Sequence, residues 1–121
     1  MVVSVLVLDD DPHLRRLVSL LLRSNGYEVI EGSNGYDGMD ALPAHPALAV
    51  VDLRMPGMDG ETFCGRAREA GFSGPMLLLS ADEEAHYAAG RCGIPHLSKP
   101  FEPDILLDAV DDMVHGRRVR V

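Results

Sequence analysis

The chain has 121 residues, 46% of them apolar and 25% charged, and its 19 acidic residues against 11 basic ones give a net charge of −8. This size and mixture fit one globular domain and exclude a disordered segment. The acidic balance argues against a surface built for nucleic-acid backbone or anionic lipid, both of which need clustered positive charge.

The basic residues are lopsided: Lys99 is the only lysine, and all the others are arginine. The longest apolar runs, such as Leu20–Leu22 and Met76–Leu79, are too short to span a bilayer. Val2–Leu8 lacks a basic flank and runs straight into Asp9, so it does not read as a signal peptide. Cys64 and Cys92 form no CxxC or zinc spacing. No disulfide framework is expected, and a reducing cytoplasm is the simplest setting.

In chain order, short apolar runs alternate with helical periodicity. Val2–Leu8 reads as a strand buried on both faces. Asp11-Pro12 then supplies an N-cap and a first-turn proline, Leu14, Leu17, Val18, Leu21 and Leu22 follow at helical spacing, and Gly26 stops the helix. Tyr27–Glu31 is a second strand. Ser33-Asn34 start a short helix that Pro43 ends, and Leu48–Leu53 is a third strand. A loop over Gly57–Gly60 leads into a helix marked by Phe63, Ala67 and Ala70 and closed by Gly71; Asp59 reads as turn chemistry with Gly60. Met76–Ser80 is a fourth strand, Asp82–Gly90 a weakly patterned helix, Ile94–Ser98 a fifth strand, and Glu102–His115 a last helix. Arg117, Arg118 and Arg120 read as a solvated tail that stabilises the end of that helix.

Alternation of this kind predicts an α/β fold: a doubly wound, five-stranded parallel sheet with helices on both faces, in one domain over residues 1–121. Ligands in such sheets bind outside the carboxyl ends of the strands, near the topological switch point. Those ends carry Asp9 and Asp10, Asp52, Ser80 and Lys99. Converging carboxylates repel one another, and the usual remedies are a raised pKa, a cation, or both. An all-oxygen cluster favours a hard cation such as Mg2+. A compact ammonium and a hydroxyl beside it suit an anion, which makes a phosphoryl-binding pocket with one aspartate as nucleophile.

These residues carry a family resemblance. The stretches Leu6-Val7-Leu8-Asp9-Asp10-Asp11, Val51-Asp52-Leu53-Arg54-Met55-Pro56-Gly57-Met58-Asp59-Gly60, Leu79-Ser80-Ala81 and Leu97-Ser98-Lys99-Pro100-Phe101 resemble the receiver domain of two-component response regulators, in order and along essentially the whole chain. The resemblance implies the flavodoxin-like (βα)5 fold and a signalling module, not a multiple-turnover enzyme, whose own chemistry is phosphotransfer and autodephosphorylation. It implies that Asp52 accepts a phosphoryl group from a sensor histidine kinase or phosphotransfer protein. Asp9, Asp10, Asp52 and the backbone carbonyl of Arg54 would hold Mg2+ (or Mn2+), and Ser80 and Lys99 would contact the phosphoryl oxygens. Phosphorylation would draw Ser80 inward, a residue on strand five would change rotamer, and the surface of helix four, strand five and helix five would be remodelled for a downstream protein partner, an effector domain or a phosphorylation-dependent dimer.

The sequence departs from the family pattern in places. His96 occupies the switch position where tyrosine or phenylalanine is commoner, and its charge near neutral pH would make the switch pH-sensitive. The Ser80–Lys99 segment is shorter than usual by roughly one helical turn, so helix four is expected to be short, mobile or irregular. Arg54 and Asp82 would flank the path of the hydrolytic water, and a salt bridge between them across the mouth would tune dephosphorylation. Two other functions compete with this reading. A phosphoaspartyl phosphatase of the haloacid-dehalogenase type expects an aspartate where Arg54 stands, and a receiver-like module that no longer uses phosphate would lack an acidic or lysine position.

Overall fold

The computed structural model describes residues 2–117; Arg118 and Arg120 lie outside the described residues. Five strands, β1 (Ser4–Leu8), β2 (Glu28–Gly32), β3 (Leu48–Asp52), β4 (Met76–Ser80) and β5 (His96–Ser98), alternate with helices α1 (Pro12–Ser24), α2 (Gly35–Ala41), α3 (Gly60–Glu69), α4 (Ala85–Cys92) and α5 (Pro103–Val114). All strand pairs are parallel, in the order β2-β1-β3-β4-β5.

Successive strand residues face opposite sides, and both sides are covered. Val5, Val7, Val50, Leu77 and Leu79 pack beneath α1 and α5 with Val18, Leu22, Leu106 and Val110. Leu6, Leu8, Ala49 and Val51 pack beneath α3 with Phe63 and Ala67, and Leu78 meets Ala85, Ala88 and Ala89 of α4. This two-sided burial explains why the three central strands, β1, β3 and β4, read as nearly unbroken apolar runs, while the edge strand β2 carries exposed Glu28 and Glu31. No described helix is long and apolar enough to cross a membrane.

Where local signals are strong, the elements fall where the sequence predicts. Asp11 caps α1, its carboxylate accepting from the backbone N–H groups of His13 (2.9 Å) and Leu14 (3.4 Å). Pro12 opens the helix, and Gly26 takes φ 89° beyond its end.

Strand and helix ends shift by a residue or two in places, and four of the boundaries that differ from the sequence expectation have a clear local cause. The loop expected through Gly60 ends earlier, because Asp59 is the N-cap of α3 and accepts from Thr62 N at 2.8 Å. Pro43 does not end α2 but sits in a 3-10 turn, Leu42–Ala44, that follows it. α4 begins at Ala85 instead of Asp82, because the Asp82 carboxylate accepts from Glu84 N at 2.9 Å and holds that stretch as a turn. β5 begins at His96 instead of Ile94: the Pro95 carbonyl accepts from Leu78 N at 3.0 Å, but proline has no N–H with which to return a bond. α4 has eight residues against 13 in α1, as the short Ser80–Lys99 spacing predicts.

Candidate functional site

The chain leaves β1 for one side of the sheet and β3 for the other, so the sheet has its switch point between these neighbours. Parallel strands point all their carboxyl ends the same way. Asp9 and Asp10 follow β1, Asp52 ends β3, Ser80 ends β4 and Lys99 follows β5, all along one edge. Gly60 lets α3 begin hard against this edge: a Cβ there would collide with the Asp52 carbonyl oxygen and lie 2.9 Å from Leu53 Cα, while Gly60 N donates to Leu53 O at 2.8 Å.

Asp9, Asp10 and Asp52 each offer a carboxylate oxygen within 4.8 Å of the others; Asp9 and Asp52 are buried and Asp10 is exposed. Lys99 Nζ donates to Asp9 Oδ2 at 3.1 Å and to Asp52 Oδ1 at 3.0 Å. Burial pushes the Asp52 carboxyl up to about 6, with the neighbouring charges of Asp9 and Asp10 adding to the rise and Lys99 opposing it. Burial alone would lower the Lys99 ammonium, but Asp52 and Asp9 hold it above the ordinary lysine value. One ammonium against three carboxylates leaves the cluster under-neutralised, and its donors are all oxygen. That is the donor set a hard divalent cation takes, with Asp10 on the solvent side.

Asp10 and Arg54 also border a surface cavity of about 470 Å3 shared with Met55, Gly57 and Asp59, so the cluster has an open approach. Two residues beyond Asp52, Arg54 donates from Nε (2.9 Å) and a terminal nitrogen (2.7 Å) to Oδ2 of Asp82, which lies two residues beyond Ser80. Ser80 is buried, and its Oγ accepts from Asp82 N at 2.9 Å. His96 is half-buried, its ring edge-to-face with His86 of α4 at 5.6 Å between centroids.

Asp9, Asp10, Asp52 and Lys99 thus meet directly, Ser80 stands on the adjacent strand end, Arg54 and Asp82 form the bridge, and His96 lies further along β5, toward α4. Reading the sequence missed Arg15. Its guanidinium donates to the Asp9 carbonyl at 2.8 Å and pairs with Glu31 at 3.4 Å, which ties the β1–α1 turn to β2. No spacing signal marks that residue.

The chain belongs to the response regulator receiver domain family, whose model matches residues 5–111. It is 34% identical over 113 residues to protein PilG of Pseudomonas aeruginosa, covering 88% of this chain and 84% of PilG. It is 33% identical over 112 residues to the transcriptional regulatory protein GlrR of Escherichia coli K12, covering 89% of this chain but 25% of GlrR. The chain likewise spans 43% of ResD of Bacillus subtilis, so it matches only part of several of its relatives. The structure of the chemotaxis response regulator CheY4 of Vibrio cholerae superposes with a TM-score of 0.85 at 28% identity, covering 93% of this chain and 99% of that one. Family membership makes the chain a receiver domain, a signalling domain of two-component response regulators.

Proposed function

We propose that this chain is a phosphorylation-controlled switch in which Asp52 accepts a phosphoryl group from a histidine of a sensor kinase or phosphotransfer protein. The observation that carries the reading is the Lys99 ammonium bonded to both Asp9 and Asp52, with Asp10 beside them, at the switch point of the sheet.

An Asp52 carboxylate oxygen bonds to phosphorus as the donor's imidazole nitrogen leaves and picks up a proton, which yields an acyl phosphate. The carboxylates of Asp9, Asp10 and Asp52 and the Arg54 carbonyl would hold Mg2+ or Mn2+, which when bound supplies charge neutralisation for the phosphoryl oxygens. Lys99 leaves its bond to Asp52 and takes a phosphoryl oxygen in exchange. Ser80 Oγ already accepts the Asp82 amide, so its own proton remains available to donate to the phosphoryl group. His96, three residues before Lys99, follows by leaving the ring of His86. The surface formed by α4, β5 and α5 then changes for a downstream protein partner or effector domain.

The phosphoryl group is lost when water attacks it from the mouth. The Arg54–Asp82 bridge stands over that approach, and Arg54→Ala should shorten the phosphoryl lifetime several-fold. Because this pair is exposed, with side chains 60% and 34% accessible, the melting temperature should stay where it is. An unchanged decay rate would remove the bridge from the mechanism.

The function is tested by incubating the chain with acetyl phosphate and Mg2+ and recording the intact mass. A gain of one phosphoryl group, stable to acid and labile to base, absent with a chelator and absent in Asp52→Asn, is the expected outcome. No adduct and no beryllofluoride binding would make it an interaction module that does not use phosphate. Repeated turnover of phosphomonoesters would make it a phosphatase.

A further inference from the structure

Away from the acidic edge, α3 and α4 meet along a seam of unusual composition. Glu61, Cys64 and Arg68 lie on one face of α3, three or four residues apart. Opposite them, Arg91 and Cys92 form the last turn of α4, which Gly93 closes in the left-handed conformation at φ 67°. Arg91 grips Glu61 with two bonds, Nε to Oε2 at 2.6 Å and a terminal nitrogen to Oε1 at 2.8 Å. Beneath this ion pair Cys64 and Cys92 line a common cavity of about 320 Å3. Both thiols are free; Cys64 is buried and Cys92 is half-buried.

The two sulfurs have different characters. Burial pushes the Cys64 thiol up to about 12, and Cys92 packs against the same apolar cluster in which Cys64 is buried. Burial and the Glu61 carboxylate also hold Cys92 above the ordinary thiol value, with Arg91 opposing them, but no such large rise as that of Cys64 results. Cys92 is therefore the more exposed and the more readily ionised of the pair. Cys64 is the buried partner that lines the same cavity. This is an attacking thiol beside a resolving thiol.

We propose that Cys64 and Cys92 form a redox pair that a hydroperoxide closes into an intramolecular disulfide, tying α3 to α4. The Cys92 thiolate attacks the peroxide oxygen, the O–O bond breaks, and Cys92 becomes a sulfenic acid as the alcohol or water leaves. The Cys64 sulfur then attacks the Cys92 sulfur, and the hydroxyl departs with the Cys64 proton as water. Two thiols are oxidised, one hydroperoxide is reduced, and a bond joins residues whose helices the Glu61–Arg91 pair already holds in register. The bond lies between the helix that starts at the Asp52 edge and the helix that leads into β5, so it restrains α4 irrespective of phosphorylation.

The test uses the wild-type chain treated with hydrogen peroxide at pH 7, 8 and 9. The expected product is a monomer lighter by two hydrogens, whose unreduced tryptic digest joins the Cys64 and Cys92 peptides and which dithiothreitol restores. Its rate should rise about tenfold per pH unit, following the thiolate fraction. Backbone amide exchange in α4 should slow in the oxidised monomer. Cys64→Ser should instead accumulate sulfenic acid at position 92 that a dimedone probe captures. Disulfides only between chains, or Cys92 oxidised to sulfinic acid while Cys64 stays free, would overturn the pairing. A cross-linked monomer whose α4 amides exchange at the original rate would overturn the restraint.

Discussion

Asp52→Asn should make the metal-free fold more stable at pH 7.5, by about 1–3 kcal/mol, although it removes the residue on which the proposed function turns. The folded chain holds the Asp52 carboxyl at about 6, against an ordinary value of 3.8. Between those two values the folded state binds the proton that the unfolded chain has already released. Stability contributed by this group therefore falls as pH rises from about 4 to about 6, and the full deficit is present above that window. A two-unit rise corresponds to about 3 kcal/mol, which is the ceiling of the effect. Asparagine carries no charge to bury beside Asp9, and its carbonyl oxygen still accepts from Lys99. Urea denaturation with a chelator present should therefore separate the variant from the wild type at pH 7.5 and bring them together near pH 4. Equal stability at both pH values would show that Asp52 is not strained by its surroundings.

Lys99→Met should act in the opposite direction, costing about 2–4 kcal/mol at pH 8 without divalent ions. The Lys99 side chain is 17% accessible, and its ammonium touches the carboxylates of Asp9 and Asp52, whose side chains are 3% and 7% accessible. Methionine keeps the length of the stem but leaves both buried carboxylates facing each other. Without Lys99 the Asp52 carboxyl rises further, so the loss should shrink as pH falls and the proton replaces the missing cation. Added Mg2+ should recover part of it at pH 8. Chemical denaturation at pH 5 and pH 8 checks this; the same loss at both would assign the role of Lys99 to packing of its stem. Lys99→Arg should not restore phosphoryl uptake, because a planar guanidinium cannot occupy the place of a compact ammonium between two carboxylates.

The sequence made the site more legible than some of the elements that hold it. In a parallel sheet every strand's carboxyl end lies on one edge, so locating the strands was enough to bring Asp9, Asp10, Asp52 and Lys99 together. The Arg54–Asp82 bridge was foreseeable for the same reason, since each residue lies two positions beyond a strand end. β4 over Met76–Ser80 and the capped start of α1 were equally plain, because their signals are local. α4 was harder to read: Ala85, Ala88 and Ala89 bury its face with side chains too small to mark a strong periodicity, and Asp82 competes for the backbone before the helix begins. The apolar character of Ile94-Pro95 suggested strand, but a proline nitrogen cannot join the ladder. Arg15 against Asp9 and Cys64 against Cys92 were illegible in a different sense. Each contact depends on how a helix packs, which no spacing along the chain encodes.

The most direct measurement of the central claim is the position of the phosphoryl group itself. After incubation with acetyl phosphate and Mg2+, borohydride reduction converts an aspartyl phosphate to homoserine, which tandem mass spectrometry reads residue by residue. Homoserine at position 52, with Asp9 and Asp10 unchanged, is the predicted result. Homoserine at Asp9, Asp10 or another carboxylate, or none at any position, would contradict Asp52 as the phosphoacceptor.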